Sequence, residues 1–185
     1  MKYGRKSVLL FTTLAILGAL VMTVPAAAGG LYLGGGFQSN SFRDDLKNWW
    51  NHENAIGWSL NAGYKMSDKT AIDIVYGSSD HDETRFTSTK SRFTWIEFGP
   101  KFFFNTDSRI QPYITVGAGS YKIDIDSVEY KGTGGFAGAG IEEWGGRNHV
   151  VGIFIRGNFW PADSPELSGA TLSGGLNYSY YFGGF

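Results

Sequence analysis

The charged side chains of this sequence are sparse, so any chemistry requires groups that folding brings together. They make up 18% of the 185 residues, and a net charge of −1 provides no global field that attracts nucleic acid. Five charged residues lie within largely apolar or glycine-rich segments: Asp73, Glu97, Lys101, Glu142 and Arg156. A charge is costly to bury unless an opposite charge pairs with it. We therefore expect these five side chains to pair inside the fold.

Motifs for catalysis or metal binding are weak. Cysteine is absent, which excludes disulfides, thiolate metal sites and a cysteine nucleophile. The segment SSDHDE, residues 78–83, offers carboxylate oxygens to a divalent cation but lacks the spacing of a calcium loop, so a solvated external loop is the simpler interpretation. His52, His81 and His149 show no nucleophile–base–acid arrangement. We expect no catalytic residue, no cofactor and no metal site.

A pair of adjacent tryptophans marks a candidate surface loop. The segment NWWNH, residues 48–52, contains Trp49, Trp50 and His52 between polar neighbours. Exposed aromatic side chains suit a partner surface or contact with lipid headgroups. The alternative, that both rings pack on the rim of the fold, is equally compatible with the sequence.

Strict apolar–polar alternation predicts that the elements carrying these residues are β-strands. In residues 55–64, AIGWSLNAGY, Ile56, Trp58 and Leu60 share one face, while glycine, serine and asparagine take the other. Eight strands are predicted, at 30–40, 54–66, 70–79, 91–104, 110–124, 132–144, 148–160 and 169–182. The connections after the second, fourth and sixth strands are short. Those after the first and third are long, and those after the fifth and seventh, DSVEYKG and PADSPELS, are intermediate.

This alternation of connection lengths is typical of an outer-membrane barrel, with short periplasmic turns and longer extracellular loops. The bulky apolar face would overfill an eight-stranded interior, which is only wide enough for side chains. We therefore predict an all-β, eight-stranded antiparallel up-and-down transmembrane barrel whose apolar face meets lipid and whose small and polar residues fill the lumen. The expected aromatic girdles comprise Trp58, Tyr64, Tyr76, Phe102, Phe104, Phe159, Trp160, Tyr180 and Phe182.

In that barrel the five charges become a luminal polar network. Asp73, Lys101 and Glu142 lie towards the periplasmic end, so Lys101 is expected to pair with Asp73 or Glu142. Glu97 and Arg156 lie nearer the middle, and Arg156 is expected to reach Glu97. A polar plug is the favoured role, and conduction or gating is the alternative, because eight strands are too few for a porin-like channel.

Several segments resemble the small outer-membrane barrels of the OmpA/OmpX-like group, often described as the porin family. They are FGPKFFF, QPYITVGAG, FAGAGIEEW followed by FIRGNFW, and the aromatic end NYSYYFGGF. The resemblance implies residence in the outer membrane of a Gram-negative bacterium. The implied partners are outer-membrane lipid and lipopolysaccharide, with the barrel-assembly machinery during insertion, and the implied state is a monomer.

The same resemblance implies a structural or surface-interaction role, in envelope integrity or through adhesion-type loops, without catalysis. The alternative is a narrow or lateral path for small or apolar solutes, as proposed for OmpW-like barrels. A third candidate is a lipid A-modifying enzyme, although no His–Ser motif of the kind that deacylase barrels carry stands on an outward strand face.

Both ends of the chain carry expected targeting signals. Residues 1–28 combine a positive start, an apolar run, Pro25 and small residues, which predicts a cleavable signal peptide and a barrel domain at 29–185. A retained membrane helix is the alternative. At the other end, Tyr178, Tyr180, Phe182 and Phe185 form an expected C-terminal assembly signal. Phe185 returns to the lipid face only if Gly183 and Gly184 form a bulge; otherwise the last strand ends at Phe182.

Overall fold

The computed structural model describes residues 30–43, 54–82, 90–125, 128–161 and 169–182. The predicted signal peptide, the NWWNH loop and Phe185 lie outside the described residues. Within the described ranges, no helix is long and apolar enough to cross a membrane.

The described residues form one closed, all-antiparallel barrel in which each strand pairs with its neighbours in sequence and the last strand pairs with the first. This confirms the predicted fold. The strands are β1 (Gly30–Arg43), β2 (Ala55–Ser67), β3 (Thr70–Asp82), β4 (Lys90–Phe103), β5 (Ile110–Ile125), β6 (Val128–Trp144), β7 (His149–Trp160) and β8 (Gly169–Phe182). Closure pairs every backbone edge, as a lipid environment requires.

The connection between β5 and β6 differs from the sequence-based expectation. We predicted an intermediate loop, DSVEYKG, but only residues 126–127 separate the two strands. The charges of this segment pair along the sheet instead, because Lys122 Nζ lies 3.0 Å from Asp124 and 2.6 Å from Glu129. The two strands therefore extend further than the alternation of apolar residues indicates.

The two ends of the barrel are distinguished by their connections. The described ends of β1 and β8 lie at the same end as three turns, at 68–69, 104–109 and 145–148. Three connections at the opposite end are longer, at 44–54, 83–89 and 161–168. Short turns are periplasmic in outer-membrane barrels, so the end at which β1 begins and β8 ends is the periplasmic end.

The outer face carries the predicted apolar belt. Its members have side chains that are substantially exposed on the isolated chain: Leu33, Phe37, Ile56, Trp58, Leu60, Tyr76, Ile96, Phe98, Phe102, Ile114, Val116, Val151, Ile153, Ile155, Leu172, Leu176, Tyr178, Tyr180 and Phe182. Above this belt on β3 to β6, the outward residues become polar, with Asp80, Arg92, Lys122 and Glu129. The sheet therefore continues beyond the lipid on the extracellular side.

The lumen is more aromatic than expected, which corrects the prediction of a small and polar interior. At the periplasmic end lies a periplasmic ring cluster, made of Tyr32, Phe103, Tyr113 and Tyr181, with Trp144 and Phe154 against it. At the opposite end lies an extracellular ring cluster, made of Phe42, Phe93, Trp95, Tyr121 and Trp160, with Tyr130 against it. Trp160 was assigned to the outer girdle, but its position places it inward, where it is only 3% exposed.

Glycines on neighbouring strands explain how these rings fit. Four cross-strand partners pair a luminal ring with a luminal glycine: Tyr32 with Gly63, Trp95 with Gly77, Tyr113 with Gly140, and Phe136 with Gly117. A Cβ atom at any of these glycines would lie well inside van der Waals distance of the paired ring. Each glycine therefore leaves room for the ring of its cross-strand partner to lie flat over the backbone. Pairs of an aromatic residue and a glycine on neighbouring strands are known to stabilise sheets.

Candidate functional site

Lys101 is the centre of the lower part of the luminal polar network. Its Nζ lies 2.9 Å from Asp73 Oδ2 on the adjacent strand β3 and 3.0 Å from Glu142 Oε1 on β6. Its side chain is only 5% exposed. Because β5 separates β4 from β6, the ammonium reaches past one strand to meet its second carboxylate. The result is a buried cation held between two buried anions.

Aromatic rings surround that cation. The ammonium of Lys101 lies 4.8 Å from the ring centroid of Tyr113, 5.5 Å from that of Tyr32 and 5.8 Å from that of Phe103. Rings at these distances attract a cation through their quadrupoles, and the attraction is larger when the cation is desolvated. The periplasmic ring cluster therefore partly replaces the water that Lys101 loses on burial.

Arg156 and Glu97 form the upper part of the network. Arg156 Nη1 on β7 donates a close hydrogen bond to Glu97 Oε2 on β4, across the lumen. The hydroxyl of Tyr121 lies 3.4 Å from the second oxygen of Glu97. The guanidinium carbon lies 5.0 Å from the ring centroid of Phe136 and 5.5 Å from that of Phe154. This pair therefore joins β4 to β7, three strands further round the barrel.

The structure thus brings all five predicted network residues into the lumen, in two separate ion clusters. Between them lies a cavity of about 30 Å³ whose lining includes Asp73, Lys101, Arg156 and Asn177. A cavity of this size accommodates roughly one or two water molecules. The assignment of these residues to a plug or to a gate stays a prediction.

Sequence reasoning missed a set of polar side chains on β1, β2 and β8. Asn40 Oδ1 accepts hydrogen bonds from Gln38 Nε2 and Ser173 Oγ, both at 2.6 Å, and Asn61 Nδ2 donates to Ser179 Oγ at 3.2 Å. These residues stand at luminal positions of the alternation. Their inward parity was visible in the sequence, but their cross-strand partners depend on register.

Lys65 was also missed, because it precedes a predicted turn. It lies at the periplasmic end of β2, only 2% exposed, with its Nζ 3.4 Å from Gln111 Oε1. The ring centroids of Phe103 and Trp144 both lie 4.8 Å from this nitrogen. Lys65 therefore adds a second buried cation below the network.

The SSDHDE segment is not the solvated loop that we expected. Residues 78–82 belong to β3, where His81 points inward and is 1% exposed. Its ring nitrogen Nε2 lies 3.0 Å from Ser79 Oγ, and its ring lies 4.5 Å from that of Phe42. Asp80 points outward and pairs with Arg92 at 2.8 Å. Glu83 lies outside the described residues, and the described part of the chain holds no group of three or more potential metal ligands from His, Cys, Asp and Glu.

Three residues of the expected C-terminal assembly signal share the outward face of β8. Tyr178, Tyr180 and Phe182 are each at least partly exposed, and Phe182 pairs with Leu31 at the end of the sheet. His149, at the start of β7, places its Nδ1 2.7 Å from the hydroxyl of Tyr178. The role of these rings in assembly stays a prediction, and so does that of Trp49, Trp50 and His52.

An apolar belt around a closed barrel of eight strands defines an integral outer-membrane protein. Residues 11–143 match the family model of the outer membrane protein beta-barrel domain, and the chain belongs to that family. The protein is therefore located in the bacterial outer membrane, as the sequence predicted.

Solved structures of low sequence identity share the fold. Ail of Yersinia pestis, in complex with the heparin analogue sucrose octasulfate, is 18% identical with a TM-score of 0.59, over 84% of this chain and 99% of that chain. Neisserial surface protein A is 14% identical with a TM-score of 0.62, over 84% and 96%. The N-terminal barrel domain of Pseudomonas aeruginosa OprF is 16% identical with a TM-score of 0.58, over 83% and 99%. A search of curated proteins found no significant match.

Proposed function

We propose that this protein is a closed, non-catalytic barrel that contributes to envelope structure and presents its extracellular strand ends and loops for surface interactions. The observation that carries the proposal is the filled lumen. Two ring clusters occupy its two ends, two ion clusters occupy its middle, and the central cavity holds only about 30 Å³. Among the residues that the structure describes, such an interior stabilises a barrel and supports a lumen without a continuous path for a solute.

Conductance separates this role from transport. We expect the purified full chain to produce no stable conductance steps in planar lipid bilayers. The side chains of Glu97 and Arg156 meet across the lumen, so they are the groups that a conducting state would have to separate. Stable steps that Arg156→Gln or Glu97→Gln changes would contradict the plug and support the alternative of a narrow or lateral path.

The extracellular sheet supports the surface-interaction part of the proposal. Above the apolar belt, the outward side chains that the structure describes on β3 to β6 include three cations and three anions: Asp80, Arg92, Lys122, Asp124, Glu129 and Lys131. Each of these cations lies in an ion pair. Ail has been solved in complex with the heparin analogue sucrose octasulfate, but the described side chains of this sheet show no excess of positive charge that would attract such a ligand. We therefore propose a partner other than a polyanion for this face.

A loop variant tests the surface role. Cells that display the chain should lose adhesion or serum resistance when Trp49 and Trp50 are both changed to alanine. The matched control is Phe37→Ala, which removes an exposed ring from the lipid-facing belt. Equal loss in both variants, or no loss in either, would contradict a role for the tryptophan loop.

The absence of catalysis is part of the same proposal. Overexpression of the chain should leave the mass of lipid A unchanged. A change in that mass would support the third candidate, a lipid-modifying enzyme.

A further inference from the structure

The periplasmic end of the lumen opens into a cavity of about 460 Å³, which the structural role does not require. We call it the periplasmic mouth. Its lining comes from the three periplasmic turns and the strand ends beside them, and includes Lys65, Asp68, Thr106, Arg109, Trp144 and Arg147. A volume of this size is within the range of pockets for small ligands.

The floor of the mouth is a buried cation. Lys65 is 2% exposed, and its ammonium contacts a neutral amide oxygen, that of Gln111, at 3.4 Å. The rings of Phe103 and Trp144 flank the same ammonium at 4.8 Å. The side-chain amide of Gln111 is itself fixed, because Nε2 donates to the carbonyl oxygens of Thr106 and Ser108. The ammonium is therefore held in place at the base of the cavity.

Two arginines stand at the rim. Arg109 is positioned by a 2.6 Å hydrogen bond from its Nε to the carbonyl oxygen of Trp144, and its Nη2 lies 3.3 Å from Glu143. Arg147 makes no ion pair with any residue that the structure describes. The lining thus carries three cationic side chains against one carboxylate, that of Asp68.

We propose that the periplasmic mouth binds a small anion that carries a carboxylate or phosphate group. Lys65 meets the charge at the floor, Arg147 meets it at the rim, and the ring of Trp144 forms one wall. Hydrogen bonds between charged donors and such oxygens are about twice as strong as neutral ones. The anion is either free in the periplasm or part of a phospholipid headgroup at the inner rim of the membrane.

Titration of the full chain tests the site. The protein in a maltoside detergent, which contains no phosphate, is titrated with inorganic phosphate and with acetate at constant ionic strength set by chloride. Amide resonances of the 65–68, 109–111 and 144–147 segments should shift together and saturate for at least one of the two anions. Lys65→Met and Arg147→Gln should each weaken binding at least tenfold, whereas Lys65→Arg should retain it.

Arg92→Gln is the matched control, because Arg92 is an exposed arginine at the opposite end of the barrel. Shifts that never saturate with either anion, or equal weakening by Arg92→Gln, would overturn the proposal. If Lys65→Met fails to fold, as judged by the mobility of unheated samples on a denaturing gel, the exposed Arg147→Gln variant decides alone. In phospholipid nanodiscs, loss of the phosphate response would identify the headgroup as the occupant, and an unchanged response would identify a free anion.

Discussion

The two ends of the lumen are both filled with aromatic rings, yet those rings contact different groups. At the periplasmic end, Tyr32, Phe103 and Tyr113 surround the ammonium of Lys101. At the extracellular end, Phe93 packs against other rings, with centroids 5.1 Å from Trp95, 5.4 Å from Trp160 and 5.5 Å from Phe42. The periplasmic rings therefore solvate a buried charge, whereas the extracellular rings pack mainly against one another.

This difference shows that ring content alone does not define the role of a luminal cluster. A ring beside a buried cation contributes through its quadrupole, so its contribution depends on the charge that it faces. A ring among rings contributes through buried area and dispersion, and through offset or edge contacts. Substitutions at the two ends should therefore differ in how much stability they cost and in which second substitution restores it.

The largest loss of stability is expected when the buried cation, Lys101, is removed. Lys101→Met leaves the carboxylates of Asp73 and Glu142 buried without their partner, and breaking a buried pair in this way typically costs about 3–5 kcal/mol. Urea unfolding of the vesicle-embedded barrel, followed by fluorescence, measures the loss. Adding Asp73→Asn and Glu142→Gln should recover part of it, because the uncompensated charges are then gone. A single Lys101→Met variant as stable as the parent would contradict charge solvation at this end.

Removal of a ring at the extracellular end should cost somewhat less. Phe93→Ala deletes the ring at the centre of the extracellular cluster, and such substitutions cost about 3 kcal/mol at the low end of their range, where neighbours collapse into the space. No charge change should rescue this variant. The same unfolding measurement applies. A loss of stability below about 1 kcal/mol would show that the extracellular ring cluster is not tightly packed.

A smaller loss of stability is expected when the glycine beneath a luminal ring is replaced by alanine. Gly77→Ala would place a methyl group within the ring of Trp95, and overpacking of this kind costs roughly 1–3 kcal/mol. Gly157→Ala is the matched control, because a Cβ atom there has no neighbour within 4 Å. If both variants unfold at the same urea concentration, the packing of Trp95 over Gly77 does not contribute to stability.

The smallest change in stability is expected for the exposed ion pairs of the sheet above the membrane, which water screens, unlike the buried pairs of the lumen. Hydrogen bonds from Lys122 and then Lys131 lower the pKa of Glu129 to about 2. Because this folded-state pKa is lower than the unfolded value of about 4.3, the pairing stabilises the protein above that unfolded value and loses its contribution as pH falls towards 2. A carboxyl titration by NMR measures the pKa. Glu129→Gln should change stability at pH 7 little, since exposed ion pairs contribute little.

The strand pattern could be predicted because alternation depends on local sequence alone. Ile56, Trp58 and Leu60 lie outward as expected, and Asp73, Glu97 and Lys101 lie inward. The start of β6 was missed because two charged residues interrupt the apolar pattern at 128–131 and a glycine follows at 132. Trp160 was assigned by residue type to the outer girdle although its even spacing from Asn158 places it inward. In this part of the chain, parity was a better guide than hydrophobicity.

By itself, the sequence determined the class of fold, the membrane that the protein occupies and which side chains share a face, because each of these follows from a period of two and from the polarity of the faces. Only the tertiary structure decided which residues meet across the lumen. Lys101 reaches Glu142 past an intervening strand, and Arg156 reaches Glu97 across the barrel. Such contacts depend on closure and register, which bring together residues that are 41 and 59 positions apart.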